Sequence, residues 1–160
     1  MANEFINLID KINGAIKSEQ NQRVALSSTL AIHKQRIFAQ GMDANGSKIG
    51  TYSTDPISIS KKNQARQTGK TYFKAGYAEY KKDIGKNPGY VNLVNFGQMQ
   101  ADYGIVRGSQ GFGFGFQNSF NAEKAGWNSD KYDKEIFQLS DSELDTFANV
   151  LVAQLNTSLG

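Results

Sequence analysis

Residues 90–116 read YVNLVNFGQMQADYGIVRGSQGFGFGF and hold the clearest two-residue alternation in the chain. Successive side chains of a strand point to opposite faces of a sheet, so the last six residues predict one phenyl face and one bare face. The phenyl face, which can supply a core layer, is formed by Phe112, Phe114 and Phe116, and the bare face by Gly111, Gly113 and Gly115. Because a glycine face lets another segment lie close to the backbone, we predict subunit docking there.

A second strand is expected directly before this one. Residues 103–107 are the predicted partner, and the short loop that joins the two strands contains Gly108, Ser109 and Gln110. Two strands joined by so short a loop form an antiparallel hairpin.

Helices are expected at both ends of the chain. Apolar residues recur at helical spacing between residues 1 and 40, with a break near residues 18–21. Two helices packed as a hairpin and one longer bent helix both fit this pattern. Ser140 and Glu143 have the spacing of a capping box, and the helix that follows is expected to pack on the sheet.

Composition limits the class of protein. The 160 residues suit a single domain over residues 1–160, and the absence of cysteine excludes disulfides, thiolate metal sites and cysteine nucleophiles. The N-terminus lacks the continuous apolar run of a signal peptide, and no stretch reaches the roughly 18 apolar residues of a membrane span. We therefore expect a protein made in the cytoplasm, with no membrane partner.

The middle of the chain, residues 42–86, is predicted to be an extended arm or loop. Its first part is poor in apolar residues, and residues 61–86 hold eight basic residues against two acidic ones, an excess of +6. From about residue 46 to residue 86 the segment buries too little to order itself, so we expect this part to be mobile in the free protein and ordered by a partner. The predicted partner-binding residues are Lys61, Lys62, Arg66, Lys70, Tyr72, Phe73 and Tyr77.

Nucleic acid is the less favoured partner for this basic segment. Basic residues among aromatic ones can hold a single strand by phosphate contacts and base stacking. The lysine spacing in residues 61–86 matches no recognition motif, however. A solvated segment with its tyrosines packed at the root is the simpler interpretation.

Residues that could carry catalysis or bind metal are sparse. His33 is the only histidine, and its place on an apolar helical stripe predicts a buried or interfacial side chain. The carboxylates between residues 130 and 145 alternate with lysines, which predicts solvated surface, and Asp43 begins a turn rather than a calcium loop. We therefore predict no catalytic residue, no metal and no cofactor.

Several short motifs occur in an order that resembles a phage virion-morphogenesis family. Residues 36–41, RIFAQG, precede residues 43–53, DANGSKIGTYS, and this pair is similar to the family signature. Further matches are GKTYF at 69–73, GY at 76–77, VNL at 91–93, GQM at 97–99, FQN at 116–118, NAEK at 121–124 and KEIFQLS at 134–140. The similarity thus extends from the second helix to the C-terminal helix.

The resemblance implies a non-enzymatic tail-completion or head–tail joining protein of tailed phages and prophages. Such a protein works as a ring in the virion, at the head–tail junction or tail end, and is made in the host bacterial cytoplasm. Its implied partners are further copies of itself and neighbouring neck, connector or tail proteins. A nucleic-acid-binding accessory protein that uses residues 61–86 is the alternative, with a hydrolase third.

The expected architecture is α+β. It comprises an N-terminal helical element, a long basic arm or loop, an antiparallel β-sheet and a C-terminal helix packed on the sheet.

Overall fold

The computed structural model describes residues 2–109 and 111–159. Within them, helices and two small antiparallel sheets share the chain, which confirms the α+β class. The helices are α1 (Ala2–Lys17), α2 (Glu19–Lys34), α3 (Gly76–Asp83), α4 (Gln98–Asp102), α5 (Ser119–Tyr132) and α6 (Asp141–Leu159). The strands are β1 (Ile57–Ser58), β2 (Tyr72–Phe73), β3 (Tyr103–Gly108) and β4 (Gly111–Phe116). A π-helical turn, Gln35–Gln40, extends α2, and a 3-10 turn, Lys61–Asn63, follows β1.

The N-terminal element consists of two helices. Ser18 lies between them in an extended conformation, and its side chain accepts from the Asn21 N–H at 3.4 Å, as an N-cap does. The π-helical turn that extends α2 ends at Gly41, whose φ of +63° favours glycine. The Gly41 backbone also lies against the Val91 carbonyl, where a Cβ would approach to 2.3 Å.

The predicted hairpin is present. β3 and β4 pair antiparallel from Tyr103 opposite Phe116 to Gly108 opposite Gly111. Of the predicted loop, Gln110 lies outside the described residues. The phenyl side carries Ile105 and the phenylalanines, and it faces α2 and the chain before α6. The Phe114 ring stacks on His33, with ring centroids 4.9 Å apart, and the Phe116 ring meets Phe137 edge-on at 5.3 Å.

The main core lies behind this hairpin. Nine buried side chains between residues 37 and 136 form it: Ile37, Phe38, Ile49, Val91, Val94, Met99, Tyr103, Ala125 and Ile136. Burial of side chains this large supplies the main driving force for folding.

Residues 42–86 fold back on themselves instead of extending. β1 pairs with β2, and α3 follows directly. Phe73, Tyr80 and Ile84 form a second buried cluster, against which four half-buried side chains pack: Ile57, Ile59, Ala65 and Tyr77. The apolar residues of this region are few and widely spaced, so only the chain reversal between β1 and β2 brings them together. The expected mobility in the free protein stays a prediction.

The C-terminal helix is present, but its packing differs from the expectation. α6 packs mainly against α2 and α1, while α2 packs in turn on β3 and β4. α2 therefore provides the surface on which both the hairpin and α6 lie.

A buried polar network centred on Arg36 joins these layers. The guanidinium donates to both carboxylate oxygens of Glu143, from Nε to Oε1 at 2.8 Å and from Nη2 to Oε2 at 3.2 Å. It also donates to three backbone carbonyls, those of Met42 (3.0 Å), Ile136 (3.3 Å) and Gln138 (2.6 Å). Such a two-pronged contact with a carboxylate is the geometry for which arginine is suited.

Glu143 corrects one prediction and confirms another. Its side chain is 1% exposed and not solvated, while the neighbouring acidic residues Asp141 and Asp145 are exposed as expected. The capping box is confirmed, because the Ser140 N–H donates to Glu143 Oε2 at 2.8 Å and the Glu143 N–H donates to the Ser140 hydroxyl at 3.4 Å. Burial by itself would raise the pKa of the Glu143 carboxyl, but the hydrogen bonds from Arg36, His33 and Ser140 outweigh it and lower that pKa to about 2.

His33 is buried, as its position predicted. Its Nδ1 lies 2.9 Å from Glu143 Oε2 and its Nε2 lies 2.7 Å from the Tyr103 hydroxyl. An ionised carboxylate only accepts, so Nδ1 carries the proton and Nε2 accepts from Tyr103. Burial lowers the pKa of His33 below 6.5, which keeps the ring neutral at neutral pH.

The substitution Ser140→Ala should lower the melting temperature by roughly 2–4 °C. Loss of an N-cap costs about 1 kcal/mol, and in a chain of this size that free energy corresponds to such a shift. Differential scanning calorimetry measures this, with Ser27→Ala as control, since Ser27 is an exposed serine inside α2. A Ser140→Ala melting temperature equal to that of Ser27→Ala would show that the Ser140 hydroxyl does not cap α6.

The substitution Glu143→Gln should destabilise the protein by about 3 kcal/mol at pH 7, because it leaves the buried Arg36 charge unpaired. The folded-state pKa of Glu143, about 2, lies below its ordinary value of 4.5. The carboxylate therefore stabilises the fold fully above about pH 4.5 and loses this contribution as the pH falls towards 2. Urea unfolding at several pH values should show the difference between the two proteins shrinking over that interval.

The matched control is Glu123→Gln, which removes an exposed carboxylate on α5. This variant should unfold like the unmodified protein at every pH. A Glu143→Gln effect that is the same at pH 7 and pH 2.5 would contradict the assignment of an ionised Glu143.

Candidate functional site

The most unusual side chain outside the Arg36 network is Lys81 on α3. It is 2% exposed, although lysine is seldom fully buried without a partner of opposite charge. It follows Tyr77 by four residues and precedes Ile84 by three, so the helical repeat places it within the apolar stripe of α3. The second cluster packs on the same helix, which explains why the lysine stem is buried.

The Lys81 ammonium is held by one carbonyl and two rings. Nζ donates to the Val94 carbonyl at 2.5 Å, and it lies 5.1 Å from the Tyr52 ring centroid and 5.4 Å from that of Tyr77. Burial, with a smaller contribution from the charge of Lys86, lowers the pKa of Lys81 to about 8. Burial also raises the pKa of Tyr77, so this phenol stays neutral and gives the ammonium no counter-charge.

A cavity of about 500 Å³ opens beside Lys81. It lies between the two buried clusters: the main core contributes Val91 and Met99 to its wall, and the second cluster contributes Ile57 and Tyr77. Its apolar lining is completed by Tyr52, Leu93, Phe96 and Tyr132, and its uncharged polar lining by Ser53, Asn95, Gln98 and Asn128. Cavities of this size, mostly apolar with a few polar groups, are typical ligand sites.

The charged residues of the lining are all basic. Lys124 and Lys131 of α5 join Lys81, and none of the described residues that line the cavity is an aspartate or glutamate. The Lys124 ammonium lies 4.2 Å from the ring of Phe120, which in turn contacts Trp127. These two aromatic side chains are 53% and 57% exposed and extend the apolar surface beyond the cavity.

The residues predicted on the basic arm are separated by the fold. Lys61, Lys62, Arg66 and Tyr72 are exposed, and Tyr77 lines the cavity. Lys70 is exposed and lies 3.3 Å from Glu79 Oε1 and 3.4 Å from Asp83 Oδ2. Phe73 is 0% exposed in the second cluster, so its assignment to a partner surface is corrected. The prediction had treated these residues as one exposed segment.

The glycine face of β4 is only partly open. A Cβ at Gly113 would meet nothing within 4 Å, in keeping with the predicted bare face. At Gly115 it would lie 2.7 Å from Val106 Cγ2, and at Gly111 it would lie 2.9 Å from Gln22 Oε1. Val106 therefore covers the Gly115 end of the face and Gln22 of α2 lies close to Gly111, and docking of a subunit on this face stays a prediction.

The longer motif of the family resemblance, residues 36–41 and 43–53, serves mainly the fold. Arg36 anchors the buried network, and Ile49 belongs to the main core. Asp43 is 1% exposed, and its Oδ1 accepts from the N–H groups of Asn45 and Ser47, which forms the predicted turn. Of residues 43–53, Tyr52 and Ser53 reach the cavity. The shorter motifs contribute further lining residues, namely Tyr77, Val91, Leu93, Gly97, Gln98, Met99 and Lys124.

Sequence reasoning missed Lys81, which it counted with the other basic residues of the arm. The available signal was a lysine inside the apolar stripe of a short helix. It also missed Lys124 and Lys131, because α5 and α3 are far apart in the sequence and meet only at the cavity.

The chemistry of the cavity suits binding. A lysine of lowered pKa can act as a base or form a Schiff base, but the described lining offers neither an imidazole nor a carboxylate for a second proton transfer. In the described part of the chain, residues 2–109 and 111–159, no three of the side chains His, Cys, Asp and Glu cluster as metal ligands. Nor does any described helix have the length and apolar character needed to cross a membrane.

Comparison of the chain with protein-family models, with curated proteins and with solved structures gives no match.

Proposed function

We propose that this chain is a non-enzymatic structural protein of a tailed phage, one subunit of a ring that joins or completes the head–tail junction. The family resemblance of the ordered motifs between residues 36 and 140 suggests this function. The observation that carries the proposal is the amount of apolar surface that the folded chain leaves exposed.

Among the described residues, nine large apolar side chains are exposed: eight of them fall into two groups, and the ninth is Tyr72 of β2. Large aliphatic side chains are 41–53% exposed on three helices that pack together, α1, α2 and α6: Ile9, Ile16, Ile32, Leu144 and Val152. Aromatic side chains are exposed near the cavity, namely Phe96, Phe120 and Trp127. Apolar surface of this kind is characteristic of protein contacts.

Two different apolar surfaces suit a ring. A head-to-tail contact joins one surface of a subunit to another surface of the next, and such contacts close into rings when the rotation allows. A two-fold dimer would need only one self-complementary surface. The cavity could then receive a side chain from a neighbour.

Burial of the only histidine also favours a structural role. The His33 ring is 0% exposed and both of its nitrogens are engaged, by Glu143 and Tyr103. A substrate cannot reach it without unfolding of the network. His33 and its partners Glu143 and Tyr103 therefore stabilise the fold.

Particles from a phage genome whose copy of this gene carries an early stop codon should accumulate as separate heads and tails. Electron microscopy of the lysate measures the fraction of joined particles, and supplying the intact gene from a plasmid should restore it. Native mass measurement should give several copies per virion. Normal joining without the gene, or a single copy per particle, would contradict the proposal.

The plasmid also tests which surface is used. Trp127 and Tyr72 are equally exposed, at 57% and 58%, but belong to α5 and to the predicted arm, respectively. Trp127→Ser should reduce rescue of joined particles by about tenfold or more, since buried aromatic anchors dominate interfaces. Tyr72→Ser should rescue normally; the reverse result would assign the contact to the arm.

A nucleic-acid-binding accessory protein is the second candidate. The observation in its favour is that six basic side chains of residues 61–86 are exposed and have no acidic partner among the described residues: Lys61, Lys62, Arg66, Lys74, Lys82 and Lys86. Of the four aromatic side chains in that segment, however, only Tyr72 is exposed enough to stack on a base.

Titration of DNA binding against salt distinguishes the two candidates. Each neutralised phosphate adds about 0.9 to the slope of log affinity against log salt concentration. We expect weak binding with a slope below about 2, because without stacking platforms the charges act independently. A slope near 5 that falls when Lys61 and Lys62 are changed to glutamine would favour the second candidate.

A further inference from the structure

Lys81 is a buried cation without a buried anion. Among the described residues, no carboxylate oxygen lies within ion-pair distance of its Nζ, and the nearby charge that affects it is another cation, Lys86. By contrast the exposed Lys70 has two carboxylates beside it. Burial of a charge without a counter-charge is unfavourable, so the site around Lys81 is incomplete in electrostatic terms.

Space for a counter-ion exists beside it. The cavity of about 500 Å³ borders Lys81, and Lys124 and Lys131 add two more positive charges to the lining. The Lys131 ammonium lies near the Tyr132 ring, at 5.3 Å, and neither it nor Lys124 forms an ion pair with a described carboxylate. The lining therefore carries a formal charge of +3 with no negative charge.

The uncharged residues of the lining indicate the chemistry of the part of the ligand that carries no charge. Tyr52, Tyr77 and Tyr132 present rings to the cavity, and Leu93 and Met99 present aliphatic surface. A strongly hydrated dianion such as free phosphate would lose its water against these rings, whereas a monoanion attached to an apolar body would bury that body favourably.

We propose that the cavity is a binding site for an organic carboxylate, with the acid group at Lys81 and an apolar or aromatic body between Tyr52, Tyr77 and Met99. Two sources have this chemistry: a free small organic acid, and an acidic side chain next to an apolar one on a partner chain. The site holds for either source and does not depend on the assignment of the chain to a phage.

Titration of Lys81 gives the site a pH dependence. The rings of Tyr52 and Tyr77 lie beside its ammonium, and Lys86 is the charged group that acts on it. Tyr132, Lys124 and Lys131 are the other titratable groups that line the cavity. Burial lowers the pKa of Lys81 to about 8, and a bound carboxylate raises it. Binding at pH 9 therefore takes up a proton, and affinity falls as the pH rises from 7 to 10.

The test uses the full chain and two probes of the same shape, 3-phenylpropionate and its neutral amide, 3-phenylpropionamide. NMR of the isotope-labelled protein follows the Lys81 side chain during a pH titration with and without each probe. The carboxylate should raise the pKa of Lys81 by about one unit or more and shift the resonances of the cavity residues. The amide should bind at least about tenfold more weakly, because a hydrogen bond between charged groups is the stronger one.

Two variants of α3 provide the matched pair. Lys81→Met keeps the apolar stem and removes the charge, and should weaken binding of the carboxylate by about tenfold or more. Lys82→Met removes an exposed charge one residue along the helix and should change the affinity by less than about twofold. If Lys81→Met does not fold, the titration of Lys81 in the unmodified protein decides by itself.

The dipeptide N-acetyl-glutamyl-phenylalaninamide distinguishes the sources. Tighter binding of the dipeptide than of 3-phenylpropionate would assign the site to a partner chain, and the reverse would assign it to a small acid. Equal binding of acid and amide, an unchanged pKa of Lys81 at millimolar acid, or equal losses in the two lysine variants would overturn the proposal. None of these readouts involves virion assembly, so this site and the structural function stand or fall separately.

Discussion

The contact between Arg36 and Glu143 is the interaction on which most of the structure depends. One guanidinium at the end of α2 satisfies both oxygens of a carboxylate at the start of α6 and three backbone carbonyls from the loops at residues 42 and 136–138. The same carboxylate caps α6 and accepts from His33, which continues to Tyr103 of β3. Every polar group of this network has a partner, as a buried network must if it is to favour folding.

The buried charge of Lys81 is stabilised differently from that of Arg36. Arg36 and Lys81 are both buried cations, but the fold supplies a carboxylate only to Arg36. The Lys81 ammonium has a carbonyl from the loop at Val94 and the faces of two tyrosines, which stabilise a cation less than an anion does. A buried charge without an anion destabilises the fold, and an anion bound in the neighbouring cavity can remove part of that destabilisation. Proteins most often depart from the usual requirements for folding at functional sites of this kind.

The position of Lys81 and the cavity beside it both follow from how the second cluster joins the main core. Tyr52 packs on the main core and Tyr77 on the second cluster, and their ring centroids are 5.3 Å apart. The hydrogen bond from Lys81 to the Val94 carbonyl crosses the same boundary. Apolar packing of these clusters is incomplete, and the cavity is what remains between them. A boundary between packed units is a common place for a ligand site or a partner contact.

The sequence by itself determined the local structure. Alternation of phenylalanine and glycine specified β4, and spacing of apolar residues specified the helical structure at both ends of the chain. The Ser140–Glu143 pair specified the start of α6, and the position of His33 specified its burial. Each of these depends on residues close in the chain.

Tertiary structure alone decided which side chains meet across long separations: Arg36 with Glu143, Lys81 with Val94, and α6 with α2 instead of the sheet. It also turned residues 42–86 from a polar, basic segment into a packed unit, because a few scattered apolar side chains form a core only after the chain has reversed. Whether a charge is exposed or buried is decided by that packing, which is why Glu143 was expected at a solvated surface and Lys81 was counted with the exposed charges of the arm.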